Sequence, residues 1–163
     1  MFAISWLGFM PQVNVIVLGL ALALQLARLR REALCVLIAA AGLAVAGLIK
    51  LIIARPRPSP DLVHVLRTLS SSGFPSGHVL ETTAVCGYLA YVAWQLLKPS
   101  LGRSALITAL GVLIALMGVS RIQQGQHWFS DVCGAYLLGS LWLSFTIRIH
   151  QRGRPVTAPS SRP

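Results

Sequence analysis

Three short segments of this chain carry residue types that together can handle a phosphate ester. The first is Lys50-Leu51-Ile52-Ile53-Ala54-Arg55-Pro56-Arg57-Pro58, in which Lys50 and Arg57 stand seven residues apart. In a helix that spacing is two turns on one face, and Pro56 is expected to end the helix and turn Arg57 back toward the site. The second is Phe74-Pro75-Ser76-Gly77-His78, immediately ahead of a long apolar run. Proline and glycine set Ser76 and His78 at a turn that opens a helix, where unbonded N–H groups suit a phosphate oxyanion. The third is Ser120-Arg121, followed by His127 and, four residues later, Asp131. If that stretch is helical, the last two share a face, so the carboxylate can hold one imidazole nitrogen and leave the other free to attack.

The elements that must position these groups follow from composition. Of 163 residues, 55% are apolar and 11% charged, against about 25% charged in soluble domains. The mean hydropathy of +0.72 comes in blocks, which excludes disorder, collagen and coiled coil and points to an integral membrane protein. Cutting at the charges leaves uncharged runs at 1–27, 33–49, 82–97, 104–120 and 132–147. They predict an all-α transmembrane bundle of about five spans, most of which borrow a flanking turn to cross a bilayer. Pro11, Gln12 and Asn14 confine the first span to 13–27, and Arg28, Arg30 and Arg31 follow that run, whereas a signal peptide carries its positive charge ahead of its apolar core. One domain is expected over 1–150, with a flexible basic cytoplasmic tail at 151–163.

Charge placement supplies an orientation. The net charge of +10 forms no stripe suited to nucleic acid, because Lys and Arg sit between the apolar blocks. Arg28, Arg30, Arg31, Lys98, Arg103, Arg148, Arg152, Arg154 and Arg162 fall on one side of a five-span chain; Lys50, Arg55, Arg57, Arg67 and Arg121 fall on the other. The richer side is expected to be cytoplasmic, which puts the three segments at the extracytoplasmic interface. Cys35, Cys86 and Cys133 lie singly in apolar runs, as packing residues.

Each candidate has an ordinary structural explanation when taken alone. Lys50 can snorkel at a helix end, Arg55 and Arg57 can be surface residues of a proline-rich turn, and Ser76 can cap a helix. Arg121 can pair with Asp131, and a single His127 can sit at the interface. The combination is harder to dismiss, because all of it meets at span ends on one side, where polar groups usually serve function. Elsewhere the structural explanation prevails. Asp61, His64 and Arg67 read as solvated loop residues, Glu81 as a favourable first-turn acid, and His150 as part of the inner basic cluster. Trp6, Trp94, Trp128 and Trp142 read as interface anchors or packing.

At these residues the sequence resembles the type-2 phosphatidic acid phosphatase family, which also includes lipid phosphate phosphatases and vanadium haloperoxidases. The family motifs Lys-x6-Arg-Pro, Pro-Ser-Gly-His and Ser-Arg-x5-His-x3-Asp stand here in order as Lys50 with Arg57-Pro58, Pro75-Ser76-Gly77-His78, and Ser120-Arg121 with His127 and Asp131. The likeness runs from about the first span to Ile149, and its spacing selects Arg57 over Arg55. It implies a membrane-bound lipid phosphatase with His127 as nucleophile, Asp131 orienting it and His78 as general acid. Lys50, Arg57, Ser76, Gly77 and Arg121 are then the phosphate ligands. Relatives of this kind act on phosphatidate, phosphatidylglycerol phosphate or polyprenyl diphosphates, and nothing in the sequence chooses among them. Family members commonly have six spans against the five counted here. That suggests a short form or an incomplete start, and a bundle that a partner subunit, as in a homo-oligomer, would complete.

The residue chemistry agrees with these roles. Phosphoryl transfer is chiefly positioning and charge neutralisation, which three cations, a hydroxyl and helix-opening N–H groups can supply. No cofactor or metal is expected: two histidines and an aspartate can form a metal triad, but the neighbouring cations would repel a divalent ion. Transfer of the phosphoryl group to another lipid acceptor is an alternative within the enzyme class. A non-catalytic lipid-phosphate binder is an alternative outside it, although binding needs only the cations and not His78, His127 and Asp131.

Overall fold

The computed structural model describes residues 10–66 and 71–152; Trp6, Arg67 and the tail from 153 onward lie outside them. All regular structure among the described residues is helical: α1 Met10–Leu26, α2 Arg30–Ala40, α3 Gly42–Ile53, α4 Gly77–Leu96, α5 Leu101–Gln123 and α6 Phe129–Arg152. Helices α2 and α3 form one apolar rod of 24 residues, interrupted only at Ala41, whose φ of −62° and ψ of −13° stay in the right-handed region. Five rods therefore stand where five apolar runs were read. The first begins at Met10 rather than at residue 13, because Pro11 falls in the first turn, where no intrahelical N–H bond is required of it.

Three rods, Arg30–Ile53, Leu101–Gln123 and Phe129–Arg152, are long and apolar enough to cross a bilayer, and Val13–Leu26 is a shorter apolar stretch. The remaining one, α4, is less apolar because Glu81, Thr82 and Thr83 lie in it. It tolerates them as the central helix, packed against α2, α3, α5 and α6. Thr83 Oγ1 donates back to the Val79 carbonyl at 2.7 Å, so that buried hydroxyl is satisfied within the helix. Glu81 is buried in the wall of an apolar groove of about 280 Å³, with Val17 of α1 and Leu113 of α5. It lies beyond the first turn of α4, so the first-turn reading is corrected.

Helix α6 lays one stripe, Asp131, Ala135, Gly139, Thr146 and His150, into the protein, the spacing of a single helix face. That stripe corrects the reading of His150 as part of a basic cluster: its Nδ1 hydrogen-bonds the buried Tyr88 hydroxyl of α4 at 2.8 Å. At Gly139 the two helices touch closely, since a Cβ there would stand 3.0 Å from the Leu80 carbonyl oxygen and 2.9 Å from Thr83 Cβ. Trp142 Nε1 donates to the Ile38 carbonyl at 2.8 Å and ties α6 to α2. Burial of α4 and the fixed face of α6 together bring the start of both helices to one end of the bundle, where Ser76 N donates to the Asp131 carbonyl at 3.3 Å.

Candidate active site

The site is built where α3 ends and where α4 and α6 begin. Helix α3 stops at Ile53, ahead of the expected proline break, with Ala54 in the left-handed conformation (φ 47°, ψ 33°). A residue that precedes proline is excluded from helical geometry, so Arg55 must already be outside the helix. The chain then runs through Arg55-Pro56-Arg57, and the segment around Ser71 to Gly73 lies across it: Gly73 N donates to the Arg55 carbonyl at 2.8 Å. Lys50 Nζ, on the last turn of α3, donates to the Ser72 carbonyl at 2.7 Å. Arg57 Nε donates to the Ser71 carbonyl at 2.7 Å, and its Nη1 to the Gln126 carbonyl at 2.7 Å. These bonds fix two long cations that would otherwise be mobile.

His127 stands between the cations and the carboxylate. Its Nε2 is 3.3 Å from Arg57 Nη1, and its Nδ1 is 3.7 Å from Asp131 Oδ2. It lies on the turn before α6, not inside the helix as the four-residue spacing to Asp131 suggested. Asp131 is fully buried in the first turn of α6 and reaches back to accept from Trp128 N at 2.9 Å, the reciprocal bond an acid makes three residues into a helix. Burial is the chief cause that pushes the His127 pKa down from 6.5 to about 3; Arg57 and Lys50 follow and His78 adds last, with a backbone bond to Gly73 opposing them. His127 is therefore a neutral imidazole at ordinary pH.

The phosphate-type residues collect around it. Ser76 precedes α4 as its N-cap residue but makes no side-chain cap bond, and its buried Oγ has no hydrogen-bond partner. A buried hydroxyl without a partner is uncommon, and here it sits beside the first N–H groups of α4, from Gly77 and His78. Arg121, on the last turn of α5, is buried and donates from Nη1 to Gln126 Oε1 at 3.1 Å. His78 is half-buried and near enough to His127 for its charge to depress that pKa. A cavity of about 630 Å³ opens at this end of the bundle, lined by Lys50, Arg55, Arg57, Ser71 and Ser72, with Gly47 and Leu51 of α3 along its edge. All eight residues singled out by the motifs thus lie at one end of the bundle.

Sequence reasoning missed Arg55 and Gln126. Arg55 was read as a turn residue and passed over in favour of Arg57, yet its Nη1 donates to Asp131 Oδ1 at 2.9 Å and to Ser130 Oγ at 2.8 Å. One signal was available: in an extended Arg-Pro-Arg segment, residues two apart point to the same side. Gln126 had no signal, because its roles as carbonyl acceptor for Arg57 and side-chain acceptor for Arg121 depend on the turn.

A bundle that is all-helical among the described residues, with apolar rods and a buried histidine beside fixed cations at one end, defines the class: an integral membrane protein. The sequence pattern of the PAP2 superfamily matches residues 31–155, and the chain belongs to that superfamily. It is similar to phosphatidylglycerophosphatase B of Bacillus subtilis (strain 168), 34% identical over 87 residues that make up 52% of this chain and 42% of the relative. Decaprenylphosphoryl-5-phosphoribose phosphatase of Mycobacterium tuberculosis (strain ATCC 25618 / H37Rv) is 36% identical over 133 residues, 78% of this chain and 67% of that one. The fold matches the crystal structure of the first transmembrane PAP2 type phosphatidylglycerolphosphate phosphatase from Bacillus subtilis with a TM-score of 0.83 and 24% identity, covering 95% of this chain and 77% of that chain. The chain thus spans about two fifths of the first relative's length and two thirds of the second's.

Proposed function

We propose that this protein is a metal-independent lipid phosphate phosphatase that works through a phosphohistidine, with its site on the extracytoplasmic side. The observation that carries the proposal is the setting of His127: buried and neutral, with Nε2 3.3 Å from Arg57 and Nδ1 3.7 Å from Asp131. An imidazole held so has one nitrogen directed to the place where cations would hold a phosphate, and the other near a carboxylate that can stabilise the charge it gains.

Lys50, Arg57 and Arg121 neutralise the phosphate oxygens, and Ser76 Oγ and the N–H groups of Gly77 and His78 fix them. His127 Nε2 attacks phosphorus, the bond to the lipid oxygen breaks, and His78 gives its proton to that oxygen. The phosphorylated imidazole carries positive charge and its Nδ1–H leans on Asp131. Water then attacks phosphorus, His78 takes the water's proton, and inorganic phosphate leaves with His127 neutral again. The net reaction is hydrolysis of one ester bond.

The activities for which the relatives are named, on phosphatidylglycerophosphate and on decaprenylphosphoryl-5-phosphoribose, support a lipid-borne phosphate as substrate. So does the edge of the cavity, where Gly47 and Leu51 continue into the exposed apolar face of Leu48 and Ile52, on which an apolar tail can lie. The test is phosphate release in detergent from phosphatidate, phosphatidylglycerol phosphate and a polyprenyl diphosphate, with His127→Ala as control. Release by the native chain alone is expected; release by both proteins, or by neither, overturns the proposal.

A further inference from the structure

We propose that Arg55 is a positioning residue of the site: it fixes the Asp131 carboxylate and shares its charge, so that Asp131 aims His127 without converting it to imidazolium. This rests on the reading of His127 as the attacking group. The carboxylate divides its two oxygens. Oδ1 accepts from Arg55 Nη1 at 2.9 Å, Oδ2 accepts from Trp128 N at 2.9 Å, and His127 Nδ1 stands farther off at 3.7 Å. His127 Nδ1 is buried, and at 3.7 Å it makes no hydrogen bond to Asp131. Arg55 also donates to Ser130 Oγ at 2.8 Å, so its guanidinium is held against the first turn of α6 by two bonds from Nη1.

The electrostatic need for such a residue is plain. Asp131 is fully buried, and a buried carboxylate with no cation is costly. Without Arg55 the carboxylate would bear more strongly on His127 and help draw a proton onto the imidazole, and an imidazolium cannot attack phosphorus. Arg55 supplies the counter-charge from the far side of the carboxylate. The charged groups that face His127 are then Arg57 from the loop after α3, Lys50 from α3, His78 from α4 and Asp131 from α6, and with Asp131 shared the balance stays against protonation. After transfer the order reverses: the phosphorylated ring is cationic, and Nδ1–H can close onto Oδ2 while Arg55 keeps Oδ1. Lys50 and Arg57 also feel the Asp131 charge, but their hydrogen bonds go to carbonyls and the Ser71 hydroxyl, whereas Arg55 donates to the carboxylate itself.

The experiment compares the native chain, Arg55→Gln, Arg55→Lys and Arg57→Gln, purified in detergent. Arg55→Gln should lower kcat by about ten- to a hundredfold, the worth of one charge-assisted hydrogen bond, with KM and vanadate inhibition changed by less than about twofold. It should also move the acid limb of kcat/KM up by about one pH unit or more, as expected when a neighbouring carboxylate loses its partner. Arg55→Lys should restore the native limb, and Arg57→Gln should weaken vanadate inhibition instead. Loss of KM and vanadate affinity in Arg55→Gln would make Arg55 a phosphate ligand and overturn the proposal; a uniform loss of rate with an unmoved limb would do the same. A second readout needs no turnover. The His127 imidazole, followed by NMR in ¹⁵N-histidine-labelled protein, should titrate at higher pH in Arg55→Gln, and equal midpoints overturn the proposal even if the native chain releases no phosphate.

Discussion

At the scale of single residues, the site separates groups that support the fold from groups held ready for a ligand. On the proposed reading Ser76 belongs to the second kind: its buried Oγ bonds to nothing, so Ser76→Ala removes no internal bond. Thermal stability should stay within a few degrees of native while phosphate turnover falls about ten- to a hundredfold, the value of a hydrogen bond to a charged oxygen. A Tm loss that tracks the activity loss would assign Ser76 to folding instead. His127→Ala should abolish turnover, whereas His78→Ala should cost about 10² to 10⁴ in rate, and least with good leaving groups. Equal losses for good and poor leaving groups would remove His78 from the acid role. The depressed pKa of His127 also has a sign in stability. Between about 6.5 and about 3 the unfolded chain binds a proton that the folded chain refuses, so stability falls as pH is lowered through that window. His127→Gln should flatten this acid loss of Tm in detergent, and an unchanged slope would place its origin elsewhere.

At the scale of elements, the contact between α4 and α6 decides the geometry. Ser76 opens α4 and Asp131 opens α6, and they meet because Gly139 lets the two helices approach. A valine at position 139 would drive its side chain against the Leu80 carbonyl and Thr83, at a cost of about 1 to 3 kcal/mol from overpacking. Gly139→Val should therefore lower Tm and reduce kcat together, although residue 139 is about two turns below the site; normal kcat at a lowered Tm would show that the site does not depend on this contact. The five rods were legible from the apolar runs, because hydrophobic length is local information. The central place of α4 was hidden, since its Glu81, Thr82 and Thr83 lower its hydropathy and only its neighbours explain why that is tolerated. His150 was misread for a related reason: its closeness to Arg148 and Arg152 in sequence gives no hint of the Tyr88 hydroxyl it meets.

At the scale of the whole molecule, among the described residues, Lys50, Arg55, Arg57 and Arg121 gather at one end of the bundle and Arg28, Arg30, Arg31, Lys98, Arg103, Arg148 and Arg152 at the other. The α1–α2 junction holds Arg28 and Arg30, and Arg103 stacks on Trp94 with its guanidinium carbon 4.4 Å from the ring centroid at the start of α5. In a cysteine-free background, Asp61→Cys on the exposed loop should react with an impermeant thiol reagent in intact cells, while Pro99→Cys, exposed between α4 and α5, should react only after permeabilisation. The reverse pattern would invert the orientation argued from charge. Turnover should survive EDTA and be blocked by vanadate, because fixed cations already supply the charge a metal would bring; loss on chelation with recovery on added metal would refute this.

The amino-acid sequence determined the class of bundle and marked the residues proposed to carry phosphate chemistry, since hydropathy and motif spacing are written along the chain. Tertiary structure alone decided who holds whom. Arg55 and Asp131 are 76 residues apart, and no spacing rule joins them. Their pairing arises because α3 ends just short of a proline-bound Arg55, while α4 carries the start of α6 to the same place. Whether a buried imidazole remains neutral depends on that three-dimensional sum of desolvation and neighbouring charge.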